Sequence, residues 1–195
     1  MRPCESDRSP LLFRPTPAVG VAPLAVAFTV VTDVPSSQIA LDVDGNGSVE
    51  FQGPSLEGQL FTYSAPALYF PTVTVIDGTG ASTTETALVQ VYDPVALDLL
   101  LQAKWQGMKD ALRQGDTSLA LSFVARAKRA SYERMFTALE AQLANIDQIL
   151  TDIQYVEQHG VRAEYQMIRI DNGTRLSYFV LFILDEDGIW RLRFF

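Results

Sequence analysis

The sequence of 195 residues contains one cysteine, Cys4, and one histidine, His159. A single thiol excludes an intrachain disulfide. No apolar run reaches the roughly 18 residues that a membrane-spanning helix requires. No zinc-ligand spacing, P-loop or GxGxxG motif is present. These absences exclude a disulfide scaffold and a membrane-spanning helix, and they leave the sequence without an assembled catalytic set.

Basic residues are scarce in the first half of the chain. Residues 1–93 contain three arginines and ten acidic residues, residues 94–195 contain twelve basic and thirteen acidic residues, and the whole chain has a formal net charge of −8. This balance argues against a nucleic-acid partner, because phosphate binding requires a basic face. Hydrophobic residues make up 48% of the chain and charged residues 19%, which is enough apolar material to fill real cores.

The composition changes at residues 92–94. Nine of the ten prolines precede Pro94, together with many Thr, Val and Gly residues, and helix-forming residues dominate after it. We therefore predict a flexible N-terminal tail over residues 1–13, an all-β domain over residues 14–93 and an α+β domain over residues 94–195.

Short alternating runs in the first half predict strands. In the clearest run, one face carries Leu24, Val26, Phe28 and Val30. Further runs cover residues 39–43, 60–63, 69–77 and 83–92, and proline- or glycine-rich turns separate them. Pro71 lies inside one run and requires an edge position or a bulge there. Regularly spaced short strands predict an antiparallel sandwich of immunoglobulin-like size.

Helical spacing dominates the chain from Pro94 onwards. The predicted first helix carries an apolar stripe of Leu97, Leu101, Trp105, Met108 and Leu112. After a break at Gly115, the predicted second helix carries Ala120, Phe123, Val124 and Ala127 on one face. A third is predicted from Ser131, with Tyr132, Phe136, Leu139, Leu143, Ile146 and Leu150 on one face.

The C-terminal end predicts an antiparallel meander. Alternating strands are predicted over residues 161–170, 175–185 and 189–195, and residues 152–158 can extend as well. Residues 171–174 and 185–188 have the composition of hairpin turns. Three helices followed by an antiparallel sheet give an α+β domain.

The first half resembles a PKD (polycystic kidney disease) repeat. The resemblance rests on four segments in the order and spacing of that family, at residues 20–28, 41–47, 61–69 and 73–80. It departs from the family where Leu41, Phe61 and Ala67 stand in place of the usual Trp, His and Gly. The resemblance implies a β-sandwich that acts as a spacer or binding module in extracellular, cell-surface or bacterial secreted proteins.

The second half resembles the NTF2-like (SnoaL-like) family in its helix order, in the break at Gly115 and Asp116, and in its closing segment, residues 187–194. The resemblance implies a hollow between the helices and a curved sheet that serves as a small-molecule pocket. It also implies pairing through the sheet, so a homodimer through the C-terminal sheet is expected.

The acidic loop, residues 41–51, is the best candidate ligand site. Asp42, Asp44 and Asn46 stand at the first, third and fifth positions of an EF-hand-like loop, and Glu50 stands at the ninth. Calcium takes six to eight oxygen ligands, and the twelfth position, where a full EF-hand has a bidentate Glu, is Gly53 here. The alternative is a tight turn in which Asp and Asn side chains bond local backbone N–H groups.

Enzyme candidates are few. An acid/base pair in an NTF2-like pocket would need Asp152, Tyr165 or Tyr178 to face inward. His159 is expected in a surface loop, and residues 185–187 are expected to form a solvated hairpin turn. A basic cluster of Arg126, Lys128, Arg129 and Arg134 is expected to be a solvated face or to dock an acidic partner.

The first eight residues lack the apolar h-region of a complete signal peptide. The chain is therefore cytoplasmic, or a mature or partial form in which Cys4 could be a lipidated residue. We expect a non-enzymatic bacterial protein of the extracellular space, cell surface or periplasm, with a protein or carbohydrate partner. The alternatives are an isomerase or dehydratase with its pocket in the C-terminal domain, and a structural stalk segment of a larger surface protein.

Overall fold

The computed structural model describes residues 11–33 and 36–195, with the side chains of Ser36, Ser37 and Ala144 excepted. Cys4 and most of the predicted tail lie outside the described residues. The chain divides into two compact units, one up to Asp93 and one from Pro94 onwards. No helix among the described residues is long and apolar enough to cross a membrane.

The N-terminal unit consists of strands and turns. Its strands are β1 (Leu11–Thr16), β2 (Val19–Val21), β3 (Leu24–Thr32), β4 (Ser36–Asp42), β5 (Phe51–Gly53), β6 (Phe61–Tyr63), β7 (Ala67–Tyr69), β8 (Thr72–Asp77), β9 (Ser82–Thr86) and β10 (Val89–Tyr92). They form three sheets, with strand orders β1-β3-β6, β5-β4-β8-β9 and β2-β10-β7. All pairs are antiparallel except β2 with β10, which is parallel.

Alternate residues of the three sheets meet in one apolar core. Val26 and Phe28 of β3, Leu41 of β4, Val73 of β8 and Val89 of β10 all belong to it. This shared core gives the unit the layered arrangement of a β-sandwich. The predicted inward face of β3 is confirmed, because Val26 and Phe28 are buried and Leu24 and Val30 are partly buried.

The predicted strand over residues 69–77 is wrong as a single element. The chain leaves β7 at Tyr69 and begins β8 at Thr72, and the two strands belong to different sheets. Pro71 lies at this crossing, where its carbonyl accepts a hydrogen bond from Ala87 N–H at 2.9 Å. The proline therefore lies outside the strands and needs neither an edge position nor a bulge.

The predicted strand over residues 83–92 divides in the same way. β9 ends at Thr86 beside β8, whereas β10 begins at Val89 between β2 and β7. The sequence pattern shows no sign of this break, because the alternation of side chains between the two faces continues from β9 into β10. At the other end of the unit, β1 begins at Leu11, inside the predicted tail, because Leu11 and Phe13 are buried in the core.

The C-terminal unit begins with helices α1 (Pro94–Arg113), α2 (Thr117–Ser122), α3 (Arg129–Ala138) and α4 (Ile146–Ile149), with 3-10 helices at Arg126–Lys128 and Glu140–Asn145. All five residues of the predicted α1 stripe are buried. Gly115, at φ +74°, follows the end of α1. Asp116 then caps α2 by accepting a hydrogen bond from Leu119 N–H.

The second and third helices are shorter than the sequence predicted. α2 ends at Ser122, and the next residues extend alongside the last strand of the unit, where Val124 forms a bridge to Leu192. The predicted helical face is therefore wrong at Ala127, which is exposed. The third helix is interrupted by a 3-10 turn, yet Tyr132, Phe136 and Leu143 remain buried as predicted.

The unit ends in a four-stranded sheet of β11 (Ile153–His159), β12 (Arg162–Asp171), β13 (Thr174–Leu184) and β14 (Trp190–Phe194), paired antiparallel in chain order. The sequence predicted a meander of three strands, and the structure adds a fourth, β11. This strand covers most of residues 152–158, which were expected to be able to extend. Both predicted hairpins are confirmed. Asn172 and Gly173 adopt positive φ between β12 and β13, as a type I′ turn requires. Gly188 N–H bonds Asp185 O at 2.8 Å before β14.

Candidate functional site

Asp42 organises the acidic loop between β4 and β5. Its Oδ1 accepts hydrogen bonds from the N–H groups of Gly45 at 2.7 Å and Asn46 at 3.2 Å, and its Oδ2 accepts one from Gly47 at 2.7 Å. A carboxylate that receives three backbone N–H groups holds the loop in one conformation. This is the geometry of the tight-turn alternative.

The other polar residues of the loop also bond to nearby groups. Asp44 accepts from Asn46 N–H and Nδ2, at 3.1 and 3.0 Å. Asn46 Oδ1 accepts from Ser48 N–H at 2.7 Å, and Glu50 Oε2 accepts from Val43 N–H at 2.6 Å. The loop therefore uses acceptors on all four of the predicted metal ligands internally.

The structure brings Asp42, Asp44 and Glu50 together, with one oxygen of each within 4.8 Å of the others. One oxygen from each carboxylate gives three ligands, and calcium prefers six to eight, so second carboxylate oxygens, backbone oxygens or water would have to complete the shell. Asn46 Oδ1, the fourth predicted ligand atom, accepts a hydrogen bond from Ser48 N–H. The hydrogen bonds account for the acidic residues without a cation, so calcium binding stays a prediction.

A groove of about 350 Å³ adjoins the acidic loop. The residues that line it are Val43, Asp44, Glu50, Thr62, Tyr63, Ser64, Ala65 and Tyr69. The Tyr63 and Tyr69 rings are 4.5 Å apart, and their hydroxyls donate to Val43 O at 2.7 Å and Ala65 O at 2.9 Å. Burial, and then the nearby carboxylate of Asp44, raise the pKa of the Tyr63 hydroxyl. The groove therefore combines a neutral aromatic wall with anionic acceptors.

Tyr165 does not face an open pocket. It is 1% exposed, and its hydroxyl donates to Asp98 Oδ1 of α1 at 2.7 Å. The other oxygen of Asp98 accepts from Gln102 Nε2 at 2.9 Å. Burial, followed by the Asp98 carboxylate, raises the pKa of Tyr165. The hydroxyl therefore remains protonated and acts as a donor that connects β12 to α1.

Asp152 lies at the surface. Its side chain is 87% exposed, and its Oδ1 accepts from Gln106 Nε2 at 2.9 Å and lies 3.7 Å from Lys109 Nζ. Lys109, in contrast, is 3% exposed and forms a closer ion pair with Asp147 of α4, at 3.0 Å. Asp152 is therefore one partner of an ionic contact between α1 and the segment before β11.

Tyr178 belongs to a third set of contacts. Its hydroxyl donates to Asp171 Oδ2 at 3.1 Å and accepts from Arg169 Nη2 at 3.0 Å. Arg169 pairs with the same carboxylate at 2.6 Å, and this bond lowers the pKa of Asp171. The structure thus gives Asp152, Tyr165 and Tyr178 separate partners and assembles no shared acid/base group from them.

Side chains fill the interior between the helices and the sheet. Trp105 and Met108 of α1, Phe136 of α3 and Phe182 of β13 are all 2% exposed or less. Trp105 Nε1 donates to Thr151 O at 2.9 Å, and the ring meets Phe195 edge-on with the centroids 5.4 Å apart. The NTF2-like resemblance implied a wide hollow between the helices and the sheet. Where these four side chains pack, that space is filled by protein atoms.

Residues 185–187 lie in the predicted hairpin turn, where Glu186 and Asp187 are exposed and Asp185 is partly buried, but two of the three acids form ion pairs. Arg191, 8% exposed, pairs with Asp185 at 3.1 Å and with Asp187 at 2.6 Å. Arg126 of the basic cluster reaches Asp187 at 2.7 Å, and Arg129 donates to Val124 O at 3.2 Å. These contacts form because the β13–β14 hairpin lies beside the 3-10 helix at Arg126–Lys128. The sequence pattern of either segment does not show that the two are neighbours.

His159 ends β11 rather than lying in a loop, and it is exposed and 3.1 Å from Glu157. The sequence reasoning missed Asp98 and Lys109. The burial of Lys109 could have been predicted, because it follows Trp105 by four residues and therefore lies on the same buried face of α1. No local signal identifies Asp98, because its partner comes 67 residues later.

Comparison with solved structures gives several weak matches, including the following two. A carbohydrate-binding module of the β-sandwich superfamily is 14% identical with a TM-score of 0.34, over 89% of this chain and 53% of that structure. An NTF2-like transpeptidase from Campylobacter jejuni is 17% identical with a TM-score of 0.33, over 51% of this chain and 98% of that structure.

No family model and no curated protein matches the sequence. TM-scores this low do not establish a shared fold. The PKD-like and NTF2-like resemblances therefore stay predictions, and the architecture rests on the strands, helices and cores described above.

Proposed function

We propose that the protein is a non-catalytic binding protein, and that the groove beside the acidic loop is its recognition surface for a carbohydrate. The observation that carries this proposal is the pairing of the Tyr63–Tyr69 wall with Asp44 and Glu50 in one groove. Ligand sites typically combine apolar or aromatic walls with a few fixed polar groups.

The chemistry of the groove fits a sugar in two ways. The half-buried ring of Tyr69 offers an apolar surface to the C–H face of a pyranose, and the carboxylates accept hydrogen bonds from its hydroxyls. The hydrogen bonds that the Asp42 carboxylate accepts from the loop's backbone N–H groups fix the segment that carries Asp44. A preorganised loop reduces the entropy lost on binding.

The location outside the cytoplasm belongs to the same proposal. It is supported by the PKD-like resemblance, which is to a family of extracellular and cell-surface modules. An enzyme of the isomerase or dehydratase type has less support, because Asp152, Tyr165 and Tyr178 have separate partners. The stalk alternative predicts that the groove binds no sugar.

Calorimetric titration with cellohexaose, xylohexaose and chitohexaose tests the proposal. We expect one of these sugars to bind, and Ser64→Trp, which fills the groove from an exposed position, to abolish the heat. Tyr69→Leu should weaken binding about tenfold or more, as the loss of a main contact does. Ser82→Trp on β9 is the control and should bind like the wild type. Equal binding by Ser64→Trp would contradict the proposal.

Calcium binding is tested separately, by thermal unfolding with added calcium and with EDTA. If the loop binds calcium, added calcium raises the melting temperature of the wild type over that in EDTA, and Asp44→Ala removes the increase. If the tight-turn alternative holds, calcium and EDTA give the same melting temperature, and Asp42→Ala lowers it equally in both, because it removes three backbone hydrogen bonds.

Pairing through the C-terminal sheet is a separate proposal. The face opposite the helices carries Phe179, which is 53% exposed and stands opposite Gln166 on β12. An exposed aromatic ring on an open sheet face supports an interface. Light scattering after gel filtration should show a dimer for the wild type and a monomer for Phe179→Lys. A wild-type monomer at all concentrations would exclude the pairing.

A further inference from the structure

Two adjoining cavities lie along α3 in the C-terminal unit. The outer one, of about 210 Å³, is lined by Lys128, Ser131, Tyr132, Met135, Phe194 and Phe195. The inner one, of about 110 Å³, extends beneath the 3-10 turn, and Leu139, Leu143 and Ile149 are among its walls. Met135 and Phe195 line both cavities. The two cavities are therefore neighbours that share two side chains of their walls.

The inner cavity has walls of apolar side chains. All eight side chains that line it are Met, Phe, Leu or Ile. An apolar void of this kind excludes water and leaves its walls without contacts on one side, so an apolar ligand gains by entering. Met135, between the two spaces, is an unbranched side chain that changes rotamer easily and can admit a narrow chain.

The outer cavity differs, because a cation stands in its wall. Lys128 Nζ lies 4.7 Å from the centroid of the Phe194 ring, and Arg193 stacks on the same ring at 5.7 Å. Within residues 11–33 and 36–195, no ion pair neutralises Lys128, whereas Arg126 has Asp187 as its partner. Lys128 is therefore free to bind an anion, with the Ser131 hydroxyl beside it as a further donor.

The remaining polar group of the outer cavity is neutral. Tyr132 is 8% exposed and its hydroxyl accepts from Phe195 N–H at 3.1 Å. Burial raises its pKa, so it carries no charge at neutral pH. The ring stacks on Phe195 with the centroids 4.7 Å apart, which fixes the wall between the two cavities.

We propose that these two cavities bind a free alkyl monocarboxylate, an unbranched fatty acid of medium chain length. The alkyl chain lies in the inner cavity and the carboxylate meets Lys128 and Ser131 at the outer one. A linear tail fits the apolar walls on either side of Met135, and the lysine favours an anionic head over a neutral or cationic one. This site lies in the other unit from the carbohydrate groove, so either proposal can fail without the other.

The full chain is titrated with decanoate, decanol and decylamine by calorimetry, and binding is confirmed by the shift in melting temperature. We expect decanoate to bind with a stoichiometry of one and decylamine not to bind. Lys128→Met should weaken decanoate about tenfold, the loss of one charge-assisted hydrogen bond, and leave decanol unchanged. Octanoate should bind more weakly than decanoate, because it buries less apolar surface.

Two further variants separate the site from the rest of the surface. Ser131→Trp blocks the outer cavity from an exposed position and should abolish binding of decanoate and decanol without unfolding the unit. Arg134→Met removes an exposed cation of α3 that lines neither cavity and should bind decanoate like the wild type. The proposal is overturned if decanoate gives no heat, if decylamine binds equally well, or if Arg134→Met weakens binding as much as Lys128→Met. Binding to anionic phospholipid vesicles without binding of free decanoate also overturns it.

Discussion

Tyr165 and Asp98 form a partly buried hydrogen bond that connects the sheet of the C-terminal unit to its longest helix. The hydroxyl lies 2.7 Å from Asp98 Oδ1, and Tyr165 is among the most deeply buried aromatic residues described. A tyrosine inside an NTF2-like pocket would be a candidate general acid. Here the same group is the donor of a structural contact, because its acceptor is fixed by α1 and by Gln102.

The Tyr165→Phe variant tests this contact. Phenylalanine retains the ring and its packing against Phe182, 5.5 Å away, and removes only the donor to a charged acceptor. We expect a loss of about 1–3 kcal/mol in the free energy of unfolding, since hydrogen bonds to charged groups are worth this much. Urea unfolding followed by circular dichroism measures it.

The control is Tyr155→Phe, at a half-exposed ring on edge strand β11, and it should change stability by less than about 0.5 kcal/mol. Equal effects of the two variants would contradict the structural role.

The sequence predicted α1 correctly because local spacing decided it. Leu97, Leu101 and Trp105 repeat at helical intervals, and the burial of the stripe follows from that spacing alone. Contacts such as Tyr165 with Asp98 join residues far apart in the chain. Amphipathic patterns show which face of an element is buried, but they do not show which polar group on the opposite element meets it.

The ion pair between Lys109 and Asp147 should respond differently to the loss of each partner, because the two side chains differ in burial. The ammonium is 3% exposed, whereas the carboxylate side chain is 53% exposed and also receives Arg113 at 2.7 Å. Removing Asp147 leaves a buried cation with only the longer contact to Asp152, which we expect to cost about 2–4 kcal/mol. Removing Lys109 as Lys109→Met leaves a solvated acid that still has Arg113, so stability should stay within about 1 kcal/mol of the wild type.

Chemical denaturation of Asp147→Ala and Lys109→Met at neutral pH decides this. Asp110→Ala is the matched control, because Arg113, 2.6 Å away, is the one ion-pair partner of Asp110 within residues 11–33 and 36–195, and both are exposed. Its effect should be below about 1 kcal/mol, as for other surface ion pairs. A larger loss for Lys109→Met than for Asp147→Ala would contradict the argument, because it would mean that the lysine stabilises the unit by its charge.

Gly45 and Gly47 in the acidic loop give a second matched pair. Both adopt left-handed backbone conformations, at φ +81° and +91°. A Cβ at Gly45 would lie 2.7 Å from Phe70 O, whereas a Cβ at Gly47 would meet nothing within 4 Å. We expect Gly47→Ala to cost about 1 kcal/mol from backbone strain alone, and Gly45→Ala to cost at least about 1 kcal/mol more from the clash.

Thermal unfolding of the two alanine variants measures this difference. The same experiment separates the two causes, because the backbone strain is shared and only the contact with Phe70 differs. Equal melting temperatures would show that the loop moves away from Phe70 at little cost. The carbohydrate groove would then lack the fixed edge that the proposed function depends on.

The acidic loop also shows where sequence reasoning stops. The run of Asp42, Asp44 and Asn46 with glycines between them predicted either a cation site or a tight turn, and local hydrogen bonds now account for the turn. Tyr63 and Tyr69 lie 13 and 19 residues beyond Glu50 in the sequence. They face the loop because β6 and β7 belong to two sheets that meet around one core. No local pattern assigned these strands to different sheets, and the break at Pro71 was misread for the same reason.

Asp187 in the β13–β14 hairpin makes the stability of the C-terminal unit dependent on pH. Its carboxylate receives Arg191 Nη1 at 2.6 Å and Nη2 at 2.9 Å, and Arg126 Nη2 at 2.7 Å. The hydrogen bonds from Arg191 lower the pKa of Asp187 from its ordinary value of 3.8 to about 2. Folding therefore favours the ionised form, and the contribution is fully present above pH 3.8 and is lost as the pH falls towards 2.

The Asp187→Asn variant should lose this dependence. We expect it to be less stable than the wild type at neutral pH, because Arg191, which is 8% exposed, keeps only Asp185 as a partner. Between pH 4 and pH 2, about the range set by the two pKa values, the wild type should lose stability more steeply than the variant. Denaturant unfolding at a series of pH values measures both slopes. Glu186→Gln, which changes the exposed acid between Asp185 and Asp187, should retain the wild-type slope. If Asp187→Asn instead retains the wild-type slope, then other carboxylates govern acid unfolding. The contacts of Asp187 with Arg191 would then not cause the pH dependence of the free energy of unfolding.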